Sequence, residues 1–340
     1  MKALVTGGGG FLGSAIVRAL CDAGHAVTVL GRGEYPHLAS LGVRFVRADI
    51  RAPSAICSAC EAMDAVFHTA AKAGVWGPKR EFHAVNVDGT RNVIEACRLG
   101  GVPKLVYTST PSVVFAGRDL CGVNESQPYA PHFLCHYAAT KAAAERMVLD
   151  AHGRDLSTVA IRPHLLFGPG DPHLLPRIIE RARRGRLRQV GSGQNRVDLT
   201  YIDNAAQAHL DAAERLGADS PCGGKAYFIS NDEPVTLWAW INELLGRAGL
   251  PVVRRPISLR AAYTVGRLLE CAYAGLRLRG EPPMTRFVAL QLAKSHYFDI
   301  SAARRDLGYV PRVALADGLA RWEAATFGNS PSACNRPSSR

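Results

Sequence analysis

Thr6-Gly7-Gly8-Gly9-Gly10-Phe11-Leu12-Gly13 follows the apolar run Lys2-Ala3-Leu4-Val5-Thr6 and opens a helical pattern over about residues 11–23. Gly7, Gly10 and Gly13 carry a GxxGxxG spacing. The first permits a tight turn, the second lets backbone approach a pyrophosphate, and the third lets the helix pack close to the strand. A pyrophosphate placed there meets the free amides of the helix N-terminus. A glycine run alone is weak evidence, because flexible turns are common. Between a first strand and a helix it predicts a dinucleotide site, with Phe11 and Leu12 in the same candidate set.

The pattern after this loop repeats the strand-then-helix rhythm. Residues 26–30, 43–46, 65–68 and 105–108 read as short apolar strands, 158–161 as a sixth and 226–229 as a later one. Helical stretches at 53–62, 80–99 and 137–152 separate most of them. Strands alternating with helices imply right-handed crossovers and a parallel sheet covered on both faces. The expected class is therefore α/β, a Rossmann doubly wound sheet with a smaller C-terminal substrate-binding lobe. Residues 1–162 are assigned to the dinucleotide-binding domain, with later strands returning to it. Residues 163–327, where prolines cluster, are assigned mainly to the substrate lobe, and 328–340 to a disordered tail.

Across 340 residues, 47% are hydrophobic and 21% charged, which excludes a largely disordered chain. The net charge of +12 favours anionic ligands: a dinucleotide, a fatty carboxylate or a membrane surface. A solvated surface rich in arginine explains it equally well, and no nucleic-acid motif is present, so no nucleic-acid partner is expected. Of nine cysteines only Cys57 and Cys60 form a CxxC, too few ligands for structural zinc, so no metal is expected. Unpaired cysteines suit a reducing compartment, no signal peptide is recognisable, and the apolar runs are too short to cross a bilayer. A cytoplasmic location is expected.

The second strand ends Val29-Leu30-Gly31-Arg32. NAD enzymes place an acidic residue here for the ribose 2′-hydroxyl; a guanidinium suits a 2′-phosphate instead. Arg32 therefore favours NADP (NADPH), while Glu34 slightly beyond keeps NAD open. Asp49 and Ile50, ending the third strand, are placed to meet adenine, a helix cap being the alternative for Asp49.

Tyr137-Ala138-Ala139-Thr140-Lys141 puts a phenol and an ammonium on one helical face. A free tyrosine has a pKa of about 10, too high for ready proton exchange at neutral pH. A neighbouring cation is expected to lower it. Alone, YxxxK usually marks a surface pair; downstream of a dinucleotide loop it suggests catalysis. Thr108-Ser109-Thr110 follows the fifth strand, where a hydroxyl could hold a substrate oxygen, although such residues are also common in turns.

With these residues the chain resembles the extended short-chain dehydrogenase/reductases over nearly its whole length. The marks are the glycine loop, His68-Thr69-Ala70-Ala71, Asn86-Val87-Asp88-Gly89-Thr90, Tyr107-Thr108-Ser109-Thr110, Tyr137 with Lys141, Arg162-Pro163, Gly168-Pro169-Gly170-Asp171 and Thr200-Tyr201-Ile202-Asp203-Asn204. The resemblance implies that Thr110 is the catalytic hydroxyl, with Ser109 as fallback, beside Tyr137 and Lys141. It implies that Ala70, Ala71, Lys72, Asn86, Thr108 and Pro163 border the cofactor. Asn86 is assigned either to a proton path through Lys141 or to a buried hydrogen-bonding role.

Within that family the chain is similar to the 3β-hydroxysteroid dehydrogenase branch, and there to bacterial reductases of long-chain olefin biosynthesis. Ala71-Lys72-Ala73-Gly74-Val75-Trp76-Gly77 and Gly280-Glu281-Pro282-Pro283-Met284-Thr285-Arg286-Phe287 carry that likeness. It implies NADPH-dependent reduction of a 2-alkyl-3-oxoalkanoate, a β-keto acid with long alkyl chains. It further implies a hydrophobic substrate, a homodimer and association with other enzymes of that pathway. Pro131-His132-Phe133-Leu134-Cys135-His136 departs from the pattern just before Tyr137.

Three rivals remain: a sterol 3β-dehydrogenase, a sugar-nucleotide epimerase or dehydratase, and a non-catalytic dinucleotide sensor. For the second, Arg181, Arg183, Arg184, Arg186 and Arg188 could grip a diphosphate, although a solvated helix face explains them as well. Residues 257–295 read as an amphipathic helix with Val265, Leu268, Leu269, Ala272 and Leu276 on its apolar side. That side is assigned to gripping alkyl chains; a core-closing helix and one dipping into a membrane are the alternatives.

Overall fold

A computed structural model describes residues 1–328. The expected tail therefore lies outside the described residues, apart from Gly328. Seven strands form one parallel sheet: β1 (Lys2–Thr6), β2 (Ala26–Gly31), β3 (Arg44–Arg47), β4 (Ala65–His68), β5 (Lys104–Thr108), β6 (Ser157–Pro163) and β7 (Lys225–Ile229). Their order is β7-β6-β5-β4-β1-β2-β3. The order reverses at β1, and open sheets of this kind bind ligands at that crevice.

Helices follow in the order α1 (Phe11–Asp22), α2 (Pro53–Cys60), α3 (Lys79–His83), α4 (Gly89–Leu99), α5 (His136–Asp150) and α6 (Leu174–Arg183). Then come α7 (Ile202–Arg215), α8 (Leu237–Arg247), α9 (Leu259–Gly275), α10 (Arg286–Ala293) and α11 (Leu315–Phe327). Side chains alternate across the sheet. Ala3, Val5, Phe67, Val106 and Val159 join the core with α1 and α7, while Leu4, Val66, Leu105, Tyr107 and Ala160 join that of α2, α4 and α5. Burial on both faces is why these strands read as unbroken apolar runs. Each fully buried Val, Leu or Phe among them contributes roughly 1.5–3 kcal/mol.

Between α3 and α4 the chain stays helical through a wider turn, Ala84–Asp88, which carries Asn86. After residue 163 the chain returns to the sheet through α7, which packs on α1, and through β7. A second sheet is made by Val235–Thr236, Arg196–Val197, His296–Phe298 and Leu120–Val123, so a strand from within residues 1–162 pairs with later segments. Asp171 of the Gly168–Asp171 motif accepts the amides of His173, Leu174 and Leu175 at 2.7, 3.1 and 2.8 Å, fixing the start of α6. Helices α9 and α10 pack closely at Gly266, where a Cβ would come within 2.7 Å of the Thr285 backbone.

Candidate active site

The glycine loop is built to leave α1 open. Gly7 sits at φ +71°, donates its amide to Leu30 at 2.8 Å, and would put a Cβ 2.8 Å from the Ala70 backbone. A Cβ on Gly13 would overlap the Gly7 carbonyl oxygen. Gly10 caps α1 without any side-chain hydrogen bond, and no acidic residue occupies the first turn. The uncapped amides and the positive end of the helix dipole thus remain available to an anion.

A cavity of about 210 Å³ opens over this loop, with Gly7, Gly10, Ala70 and Ala71 at one side and Arg32, Asp49 and Ile50 at the other. Phe11, Leu12 and Gly13 form the first turn of α1 beside it. Arg32 is exposed at the wall. Glu34 instead points away, 4.0 Å from Arg47, with its side chain 87% exposed. The Asp49 carboxylate is engaged by Arg51, at 3.0 Å from Nε and 2.7 Å from Nη2, which holds its pKa low. Tyr35, which no motif marked, also lines the cavity and lays its ring against Gly9 and Gly31. The absent side chains at those glycines are what give the ring room.

At the carboxyl edge of β5, Tyr137 lies half-buried in the first turn of α5, with the Thr110 hydroxyl beside its phenol. Burial pushes the phenol up to about 12, and the Thr110 hydroxyl works against that rise. The expected depression by Lys141 is not found. Lys141 is buried and donates from Nζ to the Thr108 carbonyl oxygen at 2.5 Å, with the Tyr107 ring centroid 4.1 Å away. Burial pulls its own pKa down to about 7, against the charge of Glu145. The i, i+4 spacing put both groups on one face but could not reveal that the ammonium turns to the backbone.

Ser109 and Thr110 face different surroundings. The Ser109 hydroxyl is buried without a hydrogen-bond partner, close enough to Glu145 to affect its titration. Glu145 is itself sealed in a buried pair with Arg162, at 2.6 and 2.9 Å, and accepts the Tyr129 hydroxyl at 2.7 Å. Sequence reading missed this triad; an acidic residue one turn after Lys141 on the same buried helical face was its signal. Pro163 ends β6 opposite Ile229.

Asn86 clips a loop to a helix. Its Oδ1 accepts the Lys72 amide at 2.7 Å, while Nδ2 donates to the Lys72 carbonyl at 3.1 Å and to Thr140 Oγ1 at 3.0 Å. These bonds hold the chain after Ala70-Ala71 against α5; none reaches Lys141. His68 lies beneath, between Thr6 and Thr90 hydroxyls at 2.7 and 3.0 Å, and burial keeps it neutral with a pKa of about 3.

A second cavity, of about 760 Å³, reaches Cys135 and His136, the residues immediately before Tyr137. Trp76, Phe133, Leu134, Tyr273 and Leu278 give it apolar walls. The unusual segment 131–136 is thus part of the wall. Helix α9 contributes a different side from the one its periodicity suggested. Ala262, Gly266 and Glu270 are buried, whereas Val265, Leu268 and Leu276 are 48%, 64% and 72% exposed. Small residues allow α10 to approach closely on the buried side, so Val265, Leu268 and Leu276 are turned outward while Leu269 and Ala272 of the same stripe stay half-buried.

Three of the five arginines that could have gripped a diphosphate are engaged within the protein. Arg184 pairs with Glu180, Arg181 donates to the Pro283 carbonyl and Arg188 to those of Gly185 and Leu187. No helix among the described residues is long and apolar enough to cross a membrane.

Known proteins match this arrangement over nearly the whole chain. The 2-alkyl-3-oxoalkanoate reductase of Stenotrophomonas maltophilia is 51% identical over 328 residues, covering 96% of this chain and 99% of the relative. A mouse protein named sterol-4-alpha-carboxylate 3-dehydrogenase, decarboxylating, is 35% identical over 325 residues, covering 94% and 89%. The solved structure of MoeE5 in complex with UDP-glucose and NAD superposes with a TM-score of 0.74 at 26% identity, covering 96% and 98%. Residues 4–259 match the 3-beta hydroxysteroid dehydrogenase/isomerase family, and the chain belongs to it.

Proposed function

We propose that this chain is a reductase that uses NADPH to convert a 2-alkyl-3-oxoalkanoate with long alkyl chains to the 2-alkyl-3-hydroxyalkanoate. The observation that carries this reading is the large cavity with apolar walls that reaches Cys135 and His136, the two residues immediately before Tyr137. The 51% identical 2-alkyl-3-oxoalkanoate reductase of Stenotrophomonas maltophilia supports the same substrate class.

Bound at the open end of α1, NADPH supplies the hydride. Tyr137 gives its proton to the ketone oxygen as the carbon is reduced, and Thr110 orients that oxygen. A phenol held neutral by burial is a proton donor across the neutral range. Lys141, anchored on Thr108, adds positive charge under the site when protonated and takes part in replacing the proton. Asn86 would hold the loop at Lys72 beside a bound cofactor, and Pro163, at the end of β6, would border its nicotinamide. Arg32 meets the 2′-phosphate, a reading supported by its place on the cavity wall and by Glu34 pointing elsewhere.

The test is turnover by the purified protein. NADPH consumption with 2-alkyl-3-oxo acids, and little with sterols or nucleotide sugars, is the expected result. Oxidation of 3β-hydroxysterols without reduction of the acids would overturn it.

A further inference from the structure

Glu270 and Arg286 meet where α9 packs on the start of α10. Glu270 is 8% exposed, and its two oxygens take the Arg286 amide at 2.7 Å and the Arg286 Nε at 2.6 Å. Two apolar side chains would close the same helix contact without burying a carboxylate. What the pair adds is orientation. The guanidinium is held by its Nε edge, with the Tyr263 phenol alongside, and its side chain remains 40% exposed. Its remaining N–H donors are the fork that matches a second carboxylate.

The position fits that use. Glu270, Arg286 and Cys135 share the wall of the large cavity. Cys135 caps α5 two residues before Tyr137, and its thiol lies within electrostatic reach of both Glu270 and the Tyr137 phenol. Lys79, Arg277 and Arg279 line the same cavity but are exposed. In a 3-oxo acid the carboxylate carbon is two bonds from the carbon that is reduced. A site that holds the ketone at Tyr137 must therefore accommodate an anion close by.

We propose that Arg286 binds the substrate carboxylate and that Glu270 is the positioning residue that presents its guanidinium edge-on. The assignment rests on the reading of the substrate as a 3-oxo acid. Measuring kcat/KM for a 2-alkyl-3-oxo acid and for its methyl ester, in the same preparation, separates the two ideas. Wild-type turnover of the acid tests the reaction itself, and inactivity on both compounds would overturn that reaction.

For the site, Arg286→Met is expected to lower kcat/KM for the acid by about 10–100-fold, mainly through KM, as for a lost charge-assisted hydrogen bond. The ester should stay within about twofold, because it offers no charge to pair. Arg286→Lys should recover part of the loss, and Glu270→Gln should weaken the acid alone. Because the acid-to-ester ratio is taken within one preparation, any loss of folded protein cancels. An equal fall for acid and ester, or an acid rate unchanged in Arg286→Met, would overturn the assignment.

Discussion

Lys141 donates its hydrogen bond to the carbonyl oxygen of Thr108, at 2.5 Å. Burial holds this ammonium's pKa down at about 7, from its ordinary value of 10.5. Between those values the unfolded chain binds the proton and the folded protein does not, so stability rises with pH through that window. Below it the cost is fully present. The slope from this one group is at most about 1.4 kcal/mol per pH unit. Thermal melts from pH 7 to 10 should show the wild type gaining on Lys141→Met as pH rises. Parallel profiles for the two proteins would mean that Lys141 is not the titrating group.

The three hydroxyls should separate by environment. Tyr137→Phe is expected to lower kcat by about 10²–10⁴-fold with the fold intact, as loss of a general acid does. Thr110, beside the phenol, should be the next most damaging, and Thr110→Ala should lower kcat without changing the melting temperature greatly. Ser109→Ala removes a buried hydroxyl that faces Glu145 and not the Tyr137 phenol, so it should leave kcat nearly unchanged. Steady-state kinetics in which Ser109→Ala is the severe variant would reverse the assignment of the two.

The fold was legible because parallel strands buried on both faces have to be short apolar runs, and because Gly7 and Gly13 tolerate no side chain. Spacing put Tyr137 and Lys141 on one helical face, and the choice of Thr110 over Ser109 came from the family resemblance; that Lys141 turns to the Thr108 carbonyl was not legible. Contacts between elements far apart in sequence were not either. Nothing local predicts that Tyr35 rests on Gly9 and Gly31, or that Glu145 finds Arg162. Helix α9 misled for a physical reason. Periodicity locates an apolar stripe, but Ala262 and Gly266 let backbone approach on the neighbouring side of the helix, and close packing there decided which face was buried.

Gly10 and Gly13 should fail in different ways. A Cβ on Gly13 collides with the Gly7 backbone, so Gly13→Ala should lower the melting temperature markedly and give little folded protein. At Gly10 the nearest atom to a new Cβ, the Gly7 oxygen, is 3.2 Å away, a contact a small shift relieves. Gly10→Ala should therefore fold, yet bind NADPH poorly because the methyl stands where the pyrophosphate approaches. Calorimetric titration would settle it, and normal NADPH affinity in Gly10→Ala would remove the pyrophosphate from this position.

Arg32→Ala should raise KM for NADPH about 10–100-fold, the worth of one or two charge-assisted hydrogen bonds, and leave KM for NADH unchanged. Glu34→Ala should alter neither, since its carboxylate points toward Arg47. Should NADH prove the better cofactor of the wild type, Arg32 is a surface residue and the 2′-phosphate reading fails.

Chain length should reveal which surface holds the alkyl groups. Each buried CH₂ contributes about 0.8 kcal/mol, or about fourfold in kcat/KM at most. The rise should continue until the cavity of about 760 Å³ is filled and then flatten. Trp76 packs edge-on against Tyr273, with ring centroids 6.4 Å apart, and both line that cavity. Trp76→Ala should thus reduce the gain per methylene while short substrates keep their rates. Leu268 and Leu276 point outward, 64% and 72% exposed, so Leu268→Asp and Leu276→Asp should leave the chain-length profile of dissolved substrates unchanged. A profile that flattens in these outward variants, and not in Trp76→Ala, would put the alkyl chains on the outer face of α9.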